Sequence, residues 1–237
     1  MAPRHYLSFA MFAFALGACG GEAAEKTSAA PTKVDQASAT PATIATDRTN
    51  SDIKVDTGAS ISAIPAGTYQ LDPGHGYVTF TYSHLGYSEP VLRFNNIAAT
   101  IELNTQNPAS STVTATIAAN SIDSAVAKFD GHLNSPDLFD TAKFPDITFN
   151  STSLTQITDN RGTLTGDLTI KDVTLPVTFS VTLLKASDHP MAKIPAFGIK
   201  AVTKVDRTKW GLSYAAPHVG EEVTITIDAE FHGAKPE

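Results

Sequence analysis

Two-residue alternation governs most of this chain. From Tyr69 onward, apolar and polar side chains trade places along one segment after another. Val78, Phe80, Tyr82 and His84 alternate with Thr79, Thr81 and Ser83. Ile97, Ala99, Ile101 and Leu103 alternate with Ala98, Thr100 and Glu102, and Val113, Ala115 and Ile117 with threonines. The pattern returns at Leu164, Leu168 and Ile170, at Val177, Phe179, Val181 and Leu183, and at Val223, Ile225, Ile227 and Phe231. Successive side chains of a strand point to opposite faces, so period two means strands with one face buried. With further strands near 146–156 and 196–204 the count is about eight, separated by Gly, Pro, Asn and Asp turns. One apolar face per strand excludes a parallel α/β sheet, whose strands are covered on both sides. The fold class is therefore all-β: an antiparallel barrel or folded-over sheet of about eight strands, with a solvent face dominated by Thr.

One segment departs from the pattern. Across residues 121–142, Ala125, Val126, Phe129, Leu133, Leu138 and Phe139 recur at spacings nearer to helical, interrupted by Gly131 and Pro136. This predicts a short helical insert of two helices or turns, with Ser135 or Asp137 as caps, covering one open end of the barrel.

The amino-terminal part is organised differently. Arg4 and His5 precede an apolar run from Leu7 to Leu16, followed by Gly17, Ala18 and Cys19. This is the layout of a secretory signal peptide, and the run is too short to span a bilayer. Leu16-Gly17-Ala18-Cys19 also resembles the bacterial lipobox, which implies cleavage before Cys19 and lipidation of its sulfur. Cys19 is the only cysteine, which excludes intramolecular disulfides and Cys-cluster metal sites. Residues 20–65 hold no aromatic side chain and are rich in Ala, Thr, Ser, Asp, Lys and Pro, the composition of a disordered tether. The expected organisation is a leader over 1–18, a lipidated Cys19 and tether over 19–65, and one barrel over 66–237. A reach of roughly 40 Å for such a tether lets an anchored domain sweep a membrane surface.

In this order, the motifs of residues 69–231 resemble the YceI-like family of periplasmic lipid-binding proteins. They include Tyr69-Gln70-Leu71-Asp72-Pro73 with His75, and His84-Leu85-Gly86. They continue with Asp130, His132-Leu133 and Phe144-Pro145-Asp146, then Gly166-Asp167-Leu168-Thr169-Ile170. Asp206-Arg207, Trp210-Gly211 and Val219-Gly220-Glu221-Glu222 complete the set. The resemblance implies an extended lipocalin-like barrel of about eight antiparallel strands, holding a polyprenyl phosphate or pyrophosphate or an isoprenoid quinone. Placement in the bacterial envelope on the periplasmic side follows. Gly20 in place of Asp after the cysteine leans towards the outer membrane under the enteric rule. Envelope or respiratory proteins and a second copy of the chain are candidate partners.

An isoprenoid tail makes no hydrogen bonds, so its site needs apolar area and a few polar groups for the head. The inward candidates are Val78, Phe80, Tyr82, His84, Ile101, Val113, Ile117, Leu168, Phe179, Val181, Ile225 and Ile227. His75 and Arg207 are candidates for the head group. Alternation alone is equally consistent with these residues filling a closed core, which would make the domain a non-catalytic interaction module. His75 and His84 could equally fix a turn and a strand end, and Arg207 could pair with Asp206. The seven His are scattered without metal-ligand spacing, so no metal site and no resident cofactor are expected. No nucleophile elbow or phosphate loop occurs, so no catalytic residue is assigned and no enzyme is expected. An enzyme acting on the lipid stays as a third hypothesis. A net charge of −7 without a basic block argues against nucleic-acid binding.

Overall fold

The computed structural model describes residues 59–235. The expected leader, Cys19 and most of the expected tether lie outside these residues. Ten strands occur among the described residues: β1 (Gly67–His84), β2 (Val91–Phe94), β3 (Ile97–Leu103), β4 (Thr112–Ala118), β5 (Ile122–Asp123), β6 (Asp146–Thr158), β7 (Arg161–Ile170), β8 (Val173–Asp188), β9 (Pro195–Asp206) and β10 (Val219–Gly233). One short helix, α1 (Ala127–Leu133), follows β5.

Eight strands close an antiparallel barrel in the order β1-β3-β4-β6-β7-β8-β9-β10, and β10 returns to β1. Closure removes the free edges that an open sheet would present. Six of the eight are strands that the alternation marks out, and β6 and β9 are the two expected near 146–156 and 196–204. β2 and β5 are too short for a periodicity to show, and they solve a local problem. β1 pairs with β3 only from Gly67 to Gln70 and then diverges from it. Its later half, Val78 to Thr81, takes β2 as partner instead, and β2 takes β5. α1 follows directly, so this flap covers the place where β1 and β3 separate.

Opposite ends of the barrel are built differently. At one end the β6–β7 and β8–β9 hairpins turn, and Tyr69, Leu103, Leu183, Phe197 and Phe231 form a buried cluster with Ala59 and Ile64. Phe197 stacks on Phe231 at 5.2 Å and meets Tyr69 edge-on at 5.1 Å. Residues 59–65 are thus corrected from tether to barrel. Ala59 and Ile64 are buried, and Tyr69 Oη donates to the Pro65 carbonyl at 2.7 Å. Two small apolar contacts under aromatic neighbours were enough to order a segment whose composition reads as linker.

At the other end lie the β1–β2 turn, α1 and the loop 207–218. The helical insert, expected as two helices or turns, is one helix followed by turns. α1 is followed by consecutive turns, in which Leu138, Phe139 and Asp140 amides bond back to Ser135, Leu133 and Ser135 carbonyls. Neither Ser135 nor Asp137 caps a helix. Ser135 Oγ donates to the His132 carbonyl at 2.7 Å, and a positive φ at Asp140 stops helical continuation. Burial of Leu133, Leu138 and Phe139 shapes this stretch, and Pro136 supplies no amide to a helix.

Candidate functional site

The barrel interior is not filled. A cavity of about 730 Å³ runs along it, from Ile61 and Leu183 at the hairpin end to Arg207 and His132 at the helix end. Its wall is mostly aliphatic and aromatic, drawn from all eight barrel strands, β2, α1 and the loop after β9. Phe80, Tyr82, Val113, Ala115, Ile117, Val181, Ile225 and Ile227 all point inward yet are only partly buried. A side chain on the core face of a packed protein would be buried. These retain exposure because their tips face open space.

All twelve inward candidates lie on the cavity wall: Val78, Phe80, Tyr82 and His84 on β1, Ile101 on β3, Val113 and Ile117 on β4, Leu168 on β7, Phe179 and Val181 on β8, and Ile225 and Ile227 on β10. Period two in the sequence and a common inner face are the same fact. His84 stands at the strand end, exposed, where its amide and carbonyl hold the turn through Ser88 and Tyr87.

Arg207 reaches the same cavity from the end of β9, and only 9% of its surface is exposed. Its Nε donates to the Gly220 carbonyl at 2.8 Å. Nη2 donates to Val219 at 2.8 Å and Tyr214 at 3.1 Å, and Nη1 to Leu212. The guanidinium therefore ties the loop 211–220 to the start of β10, leaving one of its five N–H groups uncommitted. The pairing with Asp206 does not form: Asp206 Oδ1 caps the following turn, accepting from Thr208 N at 3.0 Å and Thr208 Oγ1 at 2.6 Å. Burial lowers the Arg207 pKa from its ordinary value, and Glu221, Tyr82 and Asp206 act in the opposite sense. A guanidinium keeps its charge in a protein, so a fixed positive charge sits at this end of an apolar cavity. Burial raises the Tyr82 hydroxyl pKa, and the nearby Arg207 charge opposes the shift.

The sequence reading missed His132 as a site residue. α1 carries Phe129, His132 and Leu133 to the cavity on one helical face, the i, i+3, i+4 set. His132 Nε2 is buried without a hydrogen-bond partner, and the ring packs edge-on against Tyr214 at 4.6 Å. Because Tyr214 O also receives Arg207 Nη2, the two polar groups are joined through one residue. The signal was present in the 129/132/133 spacing, but that spacing alone does not show which face of the helix meets the cavity. His75 is a correction in the other direction. It lies outside the cavity in an outward bulge of β1, exposed, with its Nδ1 donating to Asp72 Oδ2 at 2.6 Å. That bond, of the turn-fixing kind, directs the ring away from the interior.

Trp210 closes the wall near Arg207. Its indole Nε1 donates to the Leu168 carbonyl at 3.2 Å, fastening the loop to β7. Gly211, at φ +72°, then turns the chain through the left-handed region that a side chain would disfavour.

Known proteins share this fold. A profile described as the YceI-like domain matches residues 69–231. Protein YceI of Escherichia coli O17:K52:H18 is 34% identical over 173 residues, covering 72% of this chain and 90% of the relative. Among solved structures, BcnA of Burkholderia cenocepacia superposes with a TM-score of 0.62 at 20% identity, over 68% of this chain and 98% of its own. A polyisoprenoid binding domain from Saccharophagus degradans does so with a TM-score of 0.54 at 10% identity, over 72% of this chain and 100% of its own. The matched span covers the closed barrel from Tyr69 on β1 to Phe231 on β10, and on that ground the chain belongs to the YceI-like family.

Proposed function

We propose that this protein binds a long-chain isoprenoid lipid, a polyprenyl phosphate or pyrophosphate or an isoprenoid quinone, inside the barrel. It acts as a non-catalytic, membrane-anchored carrier on the periplasmic side of the bacterial envelope. The observation that carries the reading is the incomplete burial of the inward side chains around an elongated apolar cavity. A filled interaction module would bury them. The solved Saccharophagus domain described as polyisoprenoid binding has the same fold and adds support.

Length matters energetically. Each buried methylene yields about 0.8 kcal/mol, so a five-carbon isoprene unit yields about 4 kcal/mol gross. Association costs on the order of 4–15 kcal/mol, so about two to four units are needed before binding is net favourable. A cavity spanning the barrel suits such a chain better than a compact ligand.

The head group belongs at the helix end. There the buried Arg207 charge favours phosphate, and the unpartnered His132 Nε2 suits a phosphate or quinone oxygen. Tyr87, Val91, Val126 and Tyr214 stand exposed around this end, an apolar rim suited to a bilayer surface. The signal sequence and Cys19 support the anchor. The test is native mass spectrometry of the protein extracted from its own membrane without delipidation. An adduct with an isoprenoid mass supports the reading, and protein mass alone after gentle extraction refutes it.

A further inference from the structure

A second cluster of chemistry-bearing side chains lies on the outer wall, at the hairpin end. Glu230 and His232 are two residues apart on β10 and so share its outward face. His189 opens the turn between β8 and β9, whose antiparallel pairing brings that turn beside the end of β10. Ligand atoms of His189, Glu230 and His232 all lie within 4.8 Å of one another. The His189 and His232 rings meet edge-on at 5.3 Å. From the other side, β1 contributes a bulge: between the pairs Leu71–Phe231 and Gly76–Ala229, four residues of β1 oppose Glu230 alone. The bulge brings Asp72 and His75 within 4.8 Å of Glu230, and Asp72 Oδ2 stands 4.0 Å from His232 Nε2. His232 Nε2 is itself buried and without a hydrogen-bond partner.

We propose that His189, Glu230 and His232 form a binding site for one divalent transition-metal ion, with the Asp72–His75 pair beside it adding negative charge. Two imidazole nitrogens and a carboxylate oxygen suit ions of the zinc, nickel and copper class, not magnesium or calcium. Donors each about 2.1 Å from one tetrahedral ion stand about 3.4 Å apart, so atoms that lie within 4.8 Å of one another close on an ion by shifts of about an ångström. The buried nitrogen of His232 gains the partner it lacks. His75 donates to Asp72 in the manner of the outer hydrogen bonds that orient carboxylates around metals.

His189 adds a structural consequence. Its Nδ1 accepts from the amides of Met191 at 3.3 Å and Ala192 at 3.1 Å, which places the neutral ring's proton on Nε2. Ligation through Nε2 moves that proton to Nδ1 and gives up both long amide bonds. Metal loading therefore rearranges the β8–β9 turn while joining it to β10. The sequence showed no such site because its residues, at positions 72, 75, 189, 230 and 232, are brought together by strand pairing and a bulge.

The experiment is titration of the chelator-treated full chain with zinc chloride by calorimetry, beside His189→Ala, Glu230→Gln, His232→Ala and the control His218→Ala. One zinc per chain is expected, weakened at least tenfold by each of the first three changes and unaffected by the fourth. All variants keep Cys19, so differences between them report the site alone. On the wild-type protein, the Met191 and Ala192 amide resonances shift on zinc addition, a readout that needs no variant. Absence of zinc binding, an affinity that any of the three ligand variants leaves unchanged, or unmoved amides at zinc saturation overturns the assignment.

Discussion

Replacing Ala115 by Phe separates a ligand cavity from a packed core by the sign of two effects. Ala115 sits on β4 with Ala99 of β3 and Phe149 of β6 as its cross-strand neighbours, and all three line the cavity. The small neighbour Ala99 leaves room for an added ring, and the ring fits within about 730 Å³. Displacing on the order of 100 Å² of lipid contact loses about 2.5 kcal/mol at 25 cal/mol per Å². That is roughly 60-fold in affinity. The ligand-free protein should gain from the added burial or stay unchanged. Were the interior packed, the same ring would cost about 1–3 kcal/mol through overpacking. For a domain of this size that corresponds to a fall in Tm of roughly 2–12 °C. The chain has one tryptophan, Trp210, and it lies in the cavity wall, so its fluorescence quenching by a long-chain isoprenoid quinone reports binding directly. Calorimetric melting of the delipidated protein gives the second reading. Unchanged quinone affinity in Ala115→Phe, or a melting temperature lowered by several degrees, refutes an open lipid-binding interior.

Other changes probe how the site is held. Gly166 lies under the Phe149 ring, and a Cβ there would stand 2.7 Å from Phe149 Cε2 and 2.5 Å from the Asn150 carbonyl. Gly166→Ala should therefore destabilise by about 1–3 kcal/mol, read from denaturant midpoints, because a backbone atom cannot yield. Arg207→Met removes the donors of four carbonyls and should cost about 3 kcal/mol or more, with faster hydrogen exchange across residues 211–220. Asp123 fastens β5 to β2: the Asn95 amide, the Ala125 backbone N–H and Arg93 lower its pKa below the ordinary carboxylate value. That contribution is present above the ordinary value and is lost as pH falls through the lowered one. The melting-temperature gap between wild type and Asp123→Asn should thus be full at neutral pH and close in acid, and a gap independent of pH contradicts the argument.

The barrel was legible in the sequence because six of its eight strands plainly obey one rule, and the inner face follows from the same rule. Val78, Phe80 and Tyr82 had to share a face once β1 was a strand. Whether that face enclosed space or atoms was not legible. Packing depends on the volume at facing positions such as Ala99, Ala115 and Phe149, which become neighbours only through strand register. The same limit explains the head-group residues. His75 and Arg207 were chosen as polar groups near strand ends, but a turn bond to Asp72 directs one outward, and four carbonyls engage the other. His132 was passed over because a short helix after β5 places it at the cavity only once β2 and β5 have covered the split between β1 and β3. In a closed barrel the local pattern determines which side of the wall a residue faces, and pairing between distant strands determines what it meets there. Residues whose role depends on one face are therefore readable from spacing. Those whose role depends on meeting another strand, including the cluster around Glu230, are readable only from the register.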